Sequence, residues 1–155
     1  MRRTDQRVWK REEGATQVEF TFVVLLLVMV LLGVVEMGRM ILSYTAIADA
    51  AKAGARYAMV HGVDRTGTGA DGPSSASSYA QVQTVAQNYA AAGLLDSSAV
   101  TVSVSYPNHS GTVAGNYPGD PVQVTVSYTY VPLVGYFSSI LNTTLSSTSE
   151  GVITY

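Results

Sequence analysis

The pattern of apolar and polar positions changes character along this chain. Residues 20–35 form a continuous apolar run without charge, FTFVVLLLVMVLLGVV. The run extends over residues 18–42 if three charged side chains are allowed within it. A helix needs about 20 apolar residues to cross the hydrocarbon core of a bilayer. Because the run is apolar on every side, it predicts a transmembrane helix rather than an amphipathic helix lying on a membrane surface.

The helix is expected to continue beyond the apolar run. Small and apolar residues recur there at helical spacing, while Asp49, Lys52 and Arg56 fall on other faces. Gly62 provides a stop signal. The pattern therefore predicts one helix over residues 15–61, with an outer half that carries an alanine-rich stripe. The stripe consists of Tyr44, Ile47, Ala48, Ala51, Ala55 and Ala58.

The remainder of the chain has the pattern of a small mixed domain. Residues 62–78 are rich in Gly, Ser, Asp and Thr and predict a loop. Valine and tyrosine then alternate with serine, threonine and glutamine in two segments, as in half-buried strands. The predicted elements after the loop are a helix at 79–93, strands at 100–106 and 122–130, a short helix at 133–141 and a third strand at 145–155.

These elements predict an α+β fold. A long N-terminal transmembrane helix extends into a small exported domain with an antiparallel sheet. The sheet has one apolar face that must be covered, and we expect the alanine-rich stripe to cover it. The domain organisation is a basic leader at 1–14, the long helix at 15–61 and the exported domain at 62–155.

Charge is distributed unevenly along the 155 residues. The net charge is −2, with +2 in residues 1–14 and −4 in the remainder. Basic flanks of a membrane span stay in the cytoplasm, so we expect a cytoplasmic N-terminus and an extracytoplasmic C-terminal domain. With this net charge we expect no broad basic surface, and nucleic acid is not expected as a partner. The chain has no cysteine, which excludes disulfides, thiolate metal sites and a cysteine nucleophile.

A cleaved secretory signal is the main alternative for the apolar run. Ala46-Ile47-Ala48 has the A-x-A form of a signal peptidase site. This site lies well past Val35, however, and the run is longer than the usual apolar core of a signal peptide. An uncleaved anchor or a differently processed one fits the sequence better.

Three elements in residues 14–58 resemble one protein family. Gly14 is followed by ATQVEF, with Glu19 five residues after the glycine; the span ends in Glu36-Met37-Gly38-Arg39; and an alanine-rich segment ends in GARYA. In this order they resemble the TadE-like pseudopilins, or minor pilins, of the tight-adherence (Flp) pilus system. Beyond residue 58 the resemblance is loose.

The resemblance implies a structural component of a pilus assembly or secretion machine. A prepilin peptidase would cut after Gly14, which makes Ala15 the new N-terminus and Glu19 its fifth residue. The implied partners are the lipid bilayer, the peptidase, other pilin or pseudopilin subunits and the inner-membrane assembly platform. The implied location is the inner membrane, with possible entry into a surface pilus that serves adhesion.

Two further features of the charged residues concern the span itself. A carboxylate inside a bilayer costs on the order of 3 kcal/mol unless it is paired or near the surface, so Glu19 is either an interfacial residue or the partner of a neighbouring subunit's N-terminal amine. Glu36 and Arg39 are three residues apart on a helix and are expected to pair where the helix leaves the membrane.

The sequence gives no pattern for enzymatic chemistry. Neither His61 nor His109 has metal-ligand neighbours at a useful spacing, and no G-x-S-x-G motif is present. We expect no enzyme activity and no cofactor. Two alternatives to the pilin-like function stay open, namely an uncleaved membrane-anchored binding module and an exported enzyme released after Ala48. The mature N-terminus (Ala15, Met1 or Asp49) distinguishes the three.

Overall fold

A computed structural model describes residues 5–68, 73–74, 79–94, 97–107 and 116–154. For residues 5–13, Ser97 and Ile140 only the backbone is described. The chain divides into two compact units, Met1–Gly38 and Arg39–Tyr155. Part of the predicted loop at 62–78, the segment around His109 and Tyr155 lie outside the described residues.

The first helix, α1, spans Asp5–Met59 and contains 55 residues. It begins ten residues before the predicted start, inside the basic leader. The leader is rich in Arg, Lys, Glu and Gln, which are good helix formers, and it contains no proline. Gly14 lowers helix propensity by about 1 kcal/mol relative to alanine, and α1 passes through it without a break.

The second unit contains a three-stranded antiparallel sheet with the order β1-β2-β3. These strands are Val100–Ser105, Pro121–Tyr130 and Thr143–Val152. Helix α2, Ala80–Ala91, precedes β1. The short helix α3, Ser138–Leu141, lies between β2 and β3 and follows a 3-10 turn at Gly135–Phe137. The predicted α+β fold, a long apolar N-terminal helix followed by an antiparallel sheet domain, is confirmed.

Alternation along β2 separates the two faces of the sheet. Val122, Val124 and Val126 are fully buried, and the residues between them are only half-buried. The register places Val102 opposite Val126 on β1 and Val124 opposite Ser149 on β3. The apolar face is therefore deepest at the central strand, because β3 contributes small residues to it.

The core of the second unit joins this apolar face to the stripe on α1. Ile47, Ala51, Ala55 and Ala58 of the predicted stripe are buried in one cluster with the valines of the sheet and with Val82, Ala86 and Ala90 of α2. Two members were predicted wrongly, since Tyr44 is 49% exposed and Ala48 is only half-buried. Ala50, which the stripe did not include, is fully buried in the cluster. A Cβ atom placed on Gly54 would lie 3.0 Å from Val124 Cγ1 and 3.2 Å from Ala86 Cβ. Helix α1 thus packs closely against both neighbours at a residue without a side chain.

The opposite face of the sheet is lined with hydroxyl and amide groups. Side chains there form hydrogen bonds from β2 to β3: Gln123 Nε2 donates to Glu150 Oε1 at 2.7 Å, and the hydroxyls of Thr125 and Thr148 are 2.9 Å apart. Ser127 Oγ donates to Ser146 Oγ at 3.3 Å. Cross-strand pairs of this kind stabilise a sheet modestly.

Candidate functional site

The predicted processing segment lies on the exposed surface of α1. Gly14, Ala15 and Glu19 are all exposed, and a Cβ atom placed on Gly14 would meet nothing within 4 Å. Residues 15 and 19 are four apart in the helix and so lie on one face about one turn apart. The surface around Gly14 is therefore open to a partner, and Glu19 is available for an interaction outside its own chain.

The apolar part of α1 exposes its large side chains. Phe20, Phe22 and Leu26 are each about two-thirds exposed, and the most apolar window of the helix has no buried residue. The helix of a soluble core would be largely buried, so this segment is the one described helix long and apolar enough to cross a membrane. It supports single-pass membrane anchoring.

Thr21 shows how a polar side chain is accommodated in this apolar segment. Its hydroxyl donates to the backbone carbonyl of Gln17 at 2.8 Å, one turn earlier in α1. A hydroxyl in hydrocarbon without a hydrogen-bond partner is costly, and this local bond removes the need for one elsewhere. Glu19 lies close by in sequence and carries the one full charge between residues 14 and 35.

Glu36 and Arg39 differ in their surroundings. Glu36 is 1% exposed, whereas the sequence suggested a carboxylate near the outer interface. Arg39 is half-buried, and its guanidinium carbon lies 5.6 Å from the centroid of the Tyr130 ring. A cation over an aromatic face at this distance is attractive. The predicted pairing of Glu36 with Arg39 stays a prediction.

A buried polar cluster lies where α1 ends. The backbone carbonyl of His61 accepts hydrogen bonds from the backbone N–H of Ser74 at 2.6 Å and from Ser74 Oγ at 3.0 Å. Asn116 Nδ2 donates to the carbonyl of Ser74. Ser74 Oγ also lies 3.5 Å from the Tyr106 hydroxyl. The cluster therefore connects the end of α1 to two connecting segments and to the end of β1.

The geometry of this cluster is structural rather than catalytic. The His61 ring stacks on Tyr57 with centroids 3.7 Å apart, and its Nδ1 lies 2.7 Å from the Tyr57 carbonyl oxygen. Ser74 Oγ contacts the His61 backbone and not the imidazole, so the pair does not form a nucleophile–base arrangement. Burial raises the pKa of the Tyr106 hydroxyl, and the hydrogen bond with Ser74 partly opposes the rise.

An open groove lies between α1 and α2 in the second unit. It has a volume of about 580 Å³ and is lined by charged residues of α1, including Asp49, Lys52 and Arg56, and by Tyr89 of α2. Lys52 Nζ lies 3.4 Å from Asp49 Oδ1, and both side chains are largely exposed. In the parts of the chain that the structure describes, no group of three His, Cys, Asp or Glu residues could hold a metal ion.

Sequence reasoning missed the buried cluster at the end of α1. His61 was expected to be a simple helix-end residue, and Ser74 and Asn116 fall in segments with loop composition. The bonded residues are 13 and 42 positions apart in the sequence, so no local pattern connects them. A glycine-rich and serine-rich segment gives no sign of which one of its serines is buried.

The comparison with protein families confirms the resemblance of the N-terminal part. Residues 14–56 match the model of the family described as TadE-like protein. The match covers less than a third of the 155 residues. It covers the processing segment, the apolar run and most of the alanine-rich stripe, and it stops before the sheet. No curated protein and no solved structure matches the chain significantly.

Proposed function

We propose that this chain is a minor pilin or pseudopilin-like structural component of a tight-adherence pilus machine, with no catalytic role. Its N-terminus would lie in the cytoplasm and its sheet domain outside the inner membrane. The observation that carries the proposal is the extent of the family match, which begins at Gly14 itself. All of the basic leader except its last residue, Gly14, lies outside the match, as expected for a segment that a prepilin peptidase removes.

Cleavage after Gly14 would change the electrostatics of the anchor. It removes a leader with a net charge of +2 and creates an amine on Ala15. Glu19 is exposed one turn further along the helix, where it is available to the amine of a neighbouring subunit. A carboxylate and an amine that meet in a low-dielectric environment compensate charges that would each be costly alone. This pairing gives a physical reason for a charge at position 19.

Two observations bear on the alternatives. Release after Ala48 is disfavoured because Ala46–Ala48 lies within α1 and Ile47 is fully buried in the core, so the cut would remove part of the core of the domain. The uncleaved binding module is the second candidate. It is favoured by the start of α1 at Asp5, because a peptidase would have to open helical backbone at Gly14.

The mature N-terminus tests the proposal directly. The full chain should be expressed with and without a matched prepilin peptidase, recovered from membranes and analysed by intact mass and N-terminal sequencing. We expect Ala15 as the first residue when the peptidase is present, and Gly14→Leu should block the cut because the side chain obstructs access to the scissile bond. Gly38→Leu is the matched control, since Gly38 is also an exposed helical glycine.

Each other outcome points to a different protein. A chain that retains Met1 in the presence of the peptidase would contradict the pilin-like proposal and favour the uncleaved module. A chain that begins at Asp49 would show release by a signal peptidase. If Gly38→Leu blocked cleavage as fully as Gly14→Leu, the effect would not be specific to the proposed site.

A further inference from the structure

The connection between β2 and β3 is unusually apolar for an exposed segment. Leu133 is 74% exposed, the highest value among the large apolar residues that the structure describes. Tyr136 is 68% and Val131 is 59% exposed. Residues 121–149 contain no Asp, Glu, Lys or Arg. Exposed apolar side chains that cluster in this way mark a surface that contacts a partner or a membrane.

The cluster is not explained by packing within the connection. The rings of Tyr136 and Phe137 meet edge to face with centroids 5.6 Å apart, yet Tyr136 remains mostly exposed. Pro132 is buried and holds this part of the backbone against the domain. The fold thus fixes the base of the connection and directs Leu133 and Tyr136 outward.

The connection lies at the end of the domain that is joined to the apolar run. Strand β2 ends at Tyr130, whose ring contacts Arg39, and Arg39 is the first residue after Gly38 in the chain. Leu133 lines a cleft of about 390 Å³ together with Arg39 and Leu42. Leu42 is 65% exposed and ends the apolar stretch predicted to lie in the membrane.

We propose that residues 131–137 form a second membrane contact, which inserts into the headgroup region of the bilayer that holds the anchor. A lipid surface fits this segment because the apolar stretch that ends at Leu42 continues onto Leu133 in the same cleft. Tyrosine is favoured at membrane interfaces. Residues 121–149 contribute no acidic side chain that would repel anionic lipids.

The contact would restrain the orientation of the sheet domain before assembly. A domain held by one helix is free to tilt and rotate, whereas a second contact beside the anchor limits both motions. This proposal goes beyond the pilin-like function, and it applies to the membrane-bound chain whether or not Gly14 is cut. Its failure would leave the prediction about the mature N-terminus unaffected.

Single-cysteine labelling tests the proposal in the full chain. Because the chain has no native cysteine, Leu133→Cys and Tyr136→Cys each give one labelling site for an environment-sensitive fluorophore. Val152→Cys is the control, since Val152 is 52% exposed and apolar. Val152 is the last residue of β3, roughly 30 Å along the strand from Thr143, where β3 begins, at about 3.4 Å per residue. The proteins are reconstituted in phosphatidylcholine–phosphatidylglycerol vesicles, with and without nitroxide-labelled lipids.

We expect the nitroxide lipids to quench the labels at 133 and 136 severalfold more than the label at 152, with a blue-shifted emission at the first two sites. A further label at Val131 should lose this quenching when Leu133→Asp and Tyr136→Asp are combined, since both side chains are exposed and the fold does not depend on them. Equal quenching at 133, 136 and 152 would overturn the proposal.

A second copy of the chain is the competing occupant of this surface. Varying the lipid-to-protein ratio distinguishes contact with a second copy from contact with the bilayer. If the labels at 133 and 136 are shielded by lipid, their quenching stays constant as the protein is diluted into more lipid. Shielding that disappears on dilution and is insensitive to nitroxide lipids would show that another copy covers the segment, which would also overturn the proposal.

Discussion

The two halves of α1 use apolar residues in opposite ways. Between residues 18 and 35 the side chains are large and almost all exposed, with Phe20, Phe22 and Leu26 among the most exposed. Between residues 47 and 58 most of the buried residues are alanines. The same helix therefore presents its bulkiest surface to the outside of the protein and its smallest surface to the protein core.

The difference shows that the size of a side chain and the material packed against it, more than its apolarity, determine which residues each half of α1 tolerates. Lipid adapts its shape to any side chain, so the membrane half can carry large residues in any arrangement. A sheet and a second helix are rigid, and they reach the backbone of α1 only where its side chains are small. A glycine or alanine in this half is therefore more sensitive to enlargement than a leucine in the other half is to truncation.

Gly54→Leu should break the packed half most severely. The new side chain has to occupy the space of Val124 and Ala86, whose carbons lie 3.0 and 3.2 Å from the position of a Cβ atom. Overpacking of this kind costs about 1–3 kcal/mol and sometimes more, which is a large part of the stability of a small domain. Thermal unfolding and pulse proteolysis of the full chain in detergent should show a markedly less stable domain.

Gly38→Leu is the matched control for this prediction. A Cβ atom at Gly38 would meet nothing within 4 Å, and both substitutions replace a helical glycine with a good helix former. The two variants therefore differ mainly in packing. If Gly54→Leu and Gly38→Leu had equal unfolding temperatures and were cleaved equally at Lys52 and Arg56 by a protease, the close packing at Gly54 would not contribute to the stability of the domain.

Glu19→Ala, in the apolar half of α1 at residues 18–35, should weaken association with other subunits and leave the stability of the sheet domain unchanged. The residue is exposed on α1, so its removal leaves the sheet domain intact, and membrane insertion should be unchanged or better because a charge is lost. If Glu19 meets the Ala15 amine of another subunit, recovery of other pilin subunits in a pull-down from membranes should fall severalfold. Glu19→Gln should behave in the same way, since it keeps the size and removes the charge.

Thr16→Ala provides a neighbouring exposed change that keeps the charge at position 19. Wild-type recovery of partners by both Glu19 variants would show that Glu19 is only an interfacial residue. Loss of recovery with Thr16→Ala as well would show a general sensitivity of this face of the helix.

Tyr106→Phe should have the smallest effect. At neutral pH it removes only the long contact of 3.5 Å between the Tyr106 hydroxyl and Ser74 Oγ, and its main effect is expected in alkaline solution. Burial raises the pKa of Tyr106 above its ordinary value of about 10, so over part of the alkaline range the folded state retains the proton that the unfolded state releases. Below about pH 10 the hydroxyl of Tyr106 is neutral in both states, so its ionisation does not change the free energy of unfolding. As the pH rises from the pKa of Tyr106 in the unfolded state towards its higher pKa in the folded state, the free energy of unfolding falls. We expect Tyr106→Phe to weaken this alkaline loss, as measured by unfolding temperature on both sides of pH 10.

The control for the tyrosine prediction is Tyr79→Phe, because Tyr79 is 39% exposed. It should leave the alkaline loss of stability as large as in the wild type. Identical pH profiles for wild type and Tyr106→Phe would show that burial of this hydroxyl has no energetic consequence for folding.

Much of the fold was predictable because its strongest signals are local. The uncharged run and the alternation of β2 each specify an element without reference to the rest of the chain. The weaker alternation of β3 predicted a start at Leu145, and the strand begins at Thr143, because exposed threonines on both faces give no period. The start of α1 was also predicted too late. The prediction placed it after Gly14, the proposed processing site, whereas the helix propensity of the leader residues favours a start within the leader.

The remaining features depend on distant contacts. The stripe on α1 was identified from sequence, yet the importance of Gly54 emerges only when β2 and α2 lie against it. The cluster of His61, Ser74 and Asn116 has no local signature. Glu36 was expected near an interface, and its burial could not be inferred from spacing.

The alignment of β3 depends on its end more than on its pattern. Its inward-facing residues at 147, 149 and 151 are two serines and a glycine, so this stretch specifies the register only weakly. Leu145 before it and the buried Ile153 after it are the apolar residues that a slide would displace. At the end, Thr154 donates to the Met59 carbonyl through its backbone N–H at 2.9 Å and through its hydroxyl at 3.0 Å. A Cβ atom on Gly151 would collide with the Met59 side chain. The Met59 side chain therefore fits only where β3 has a glycine, and this steric match fixes the register of the strand without a covalent cross-link.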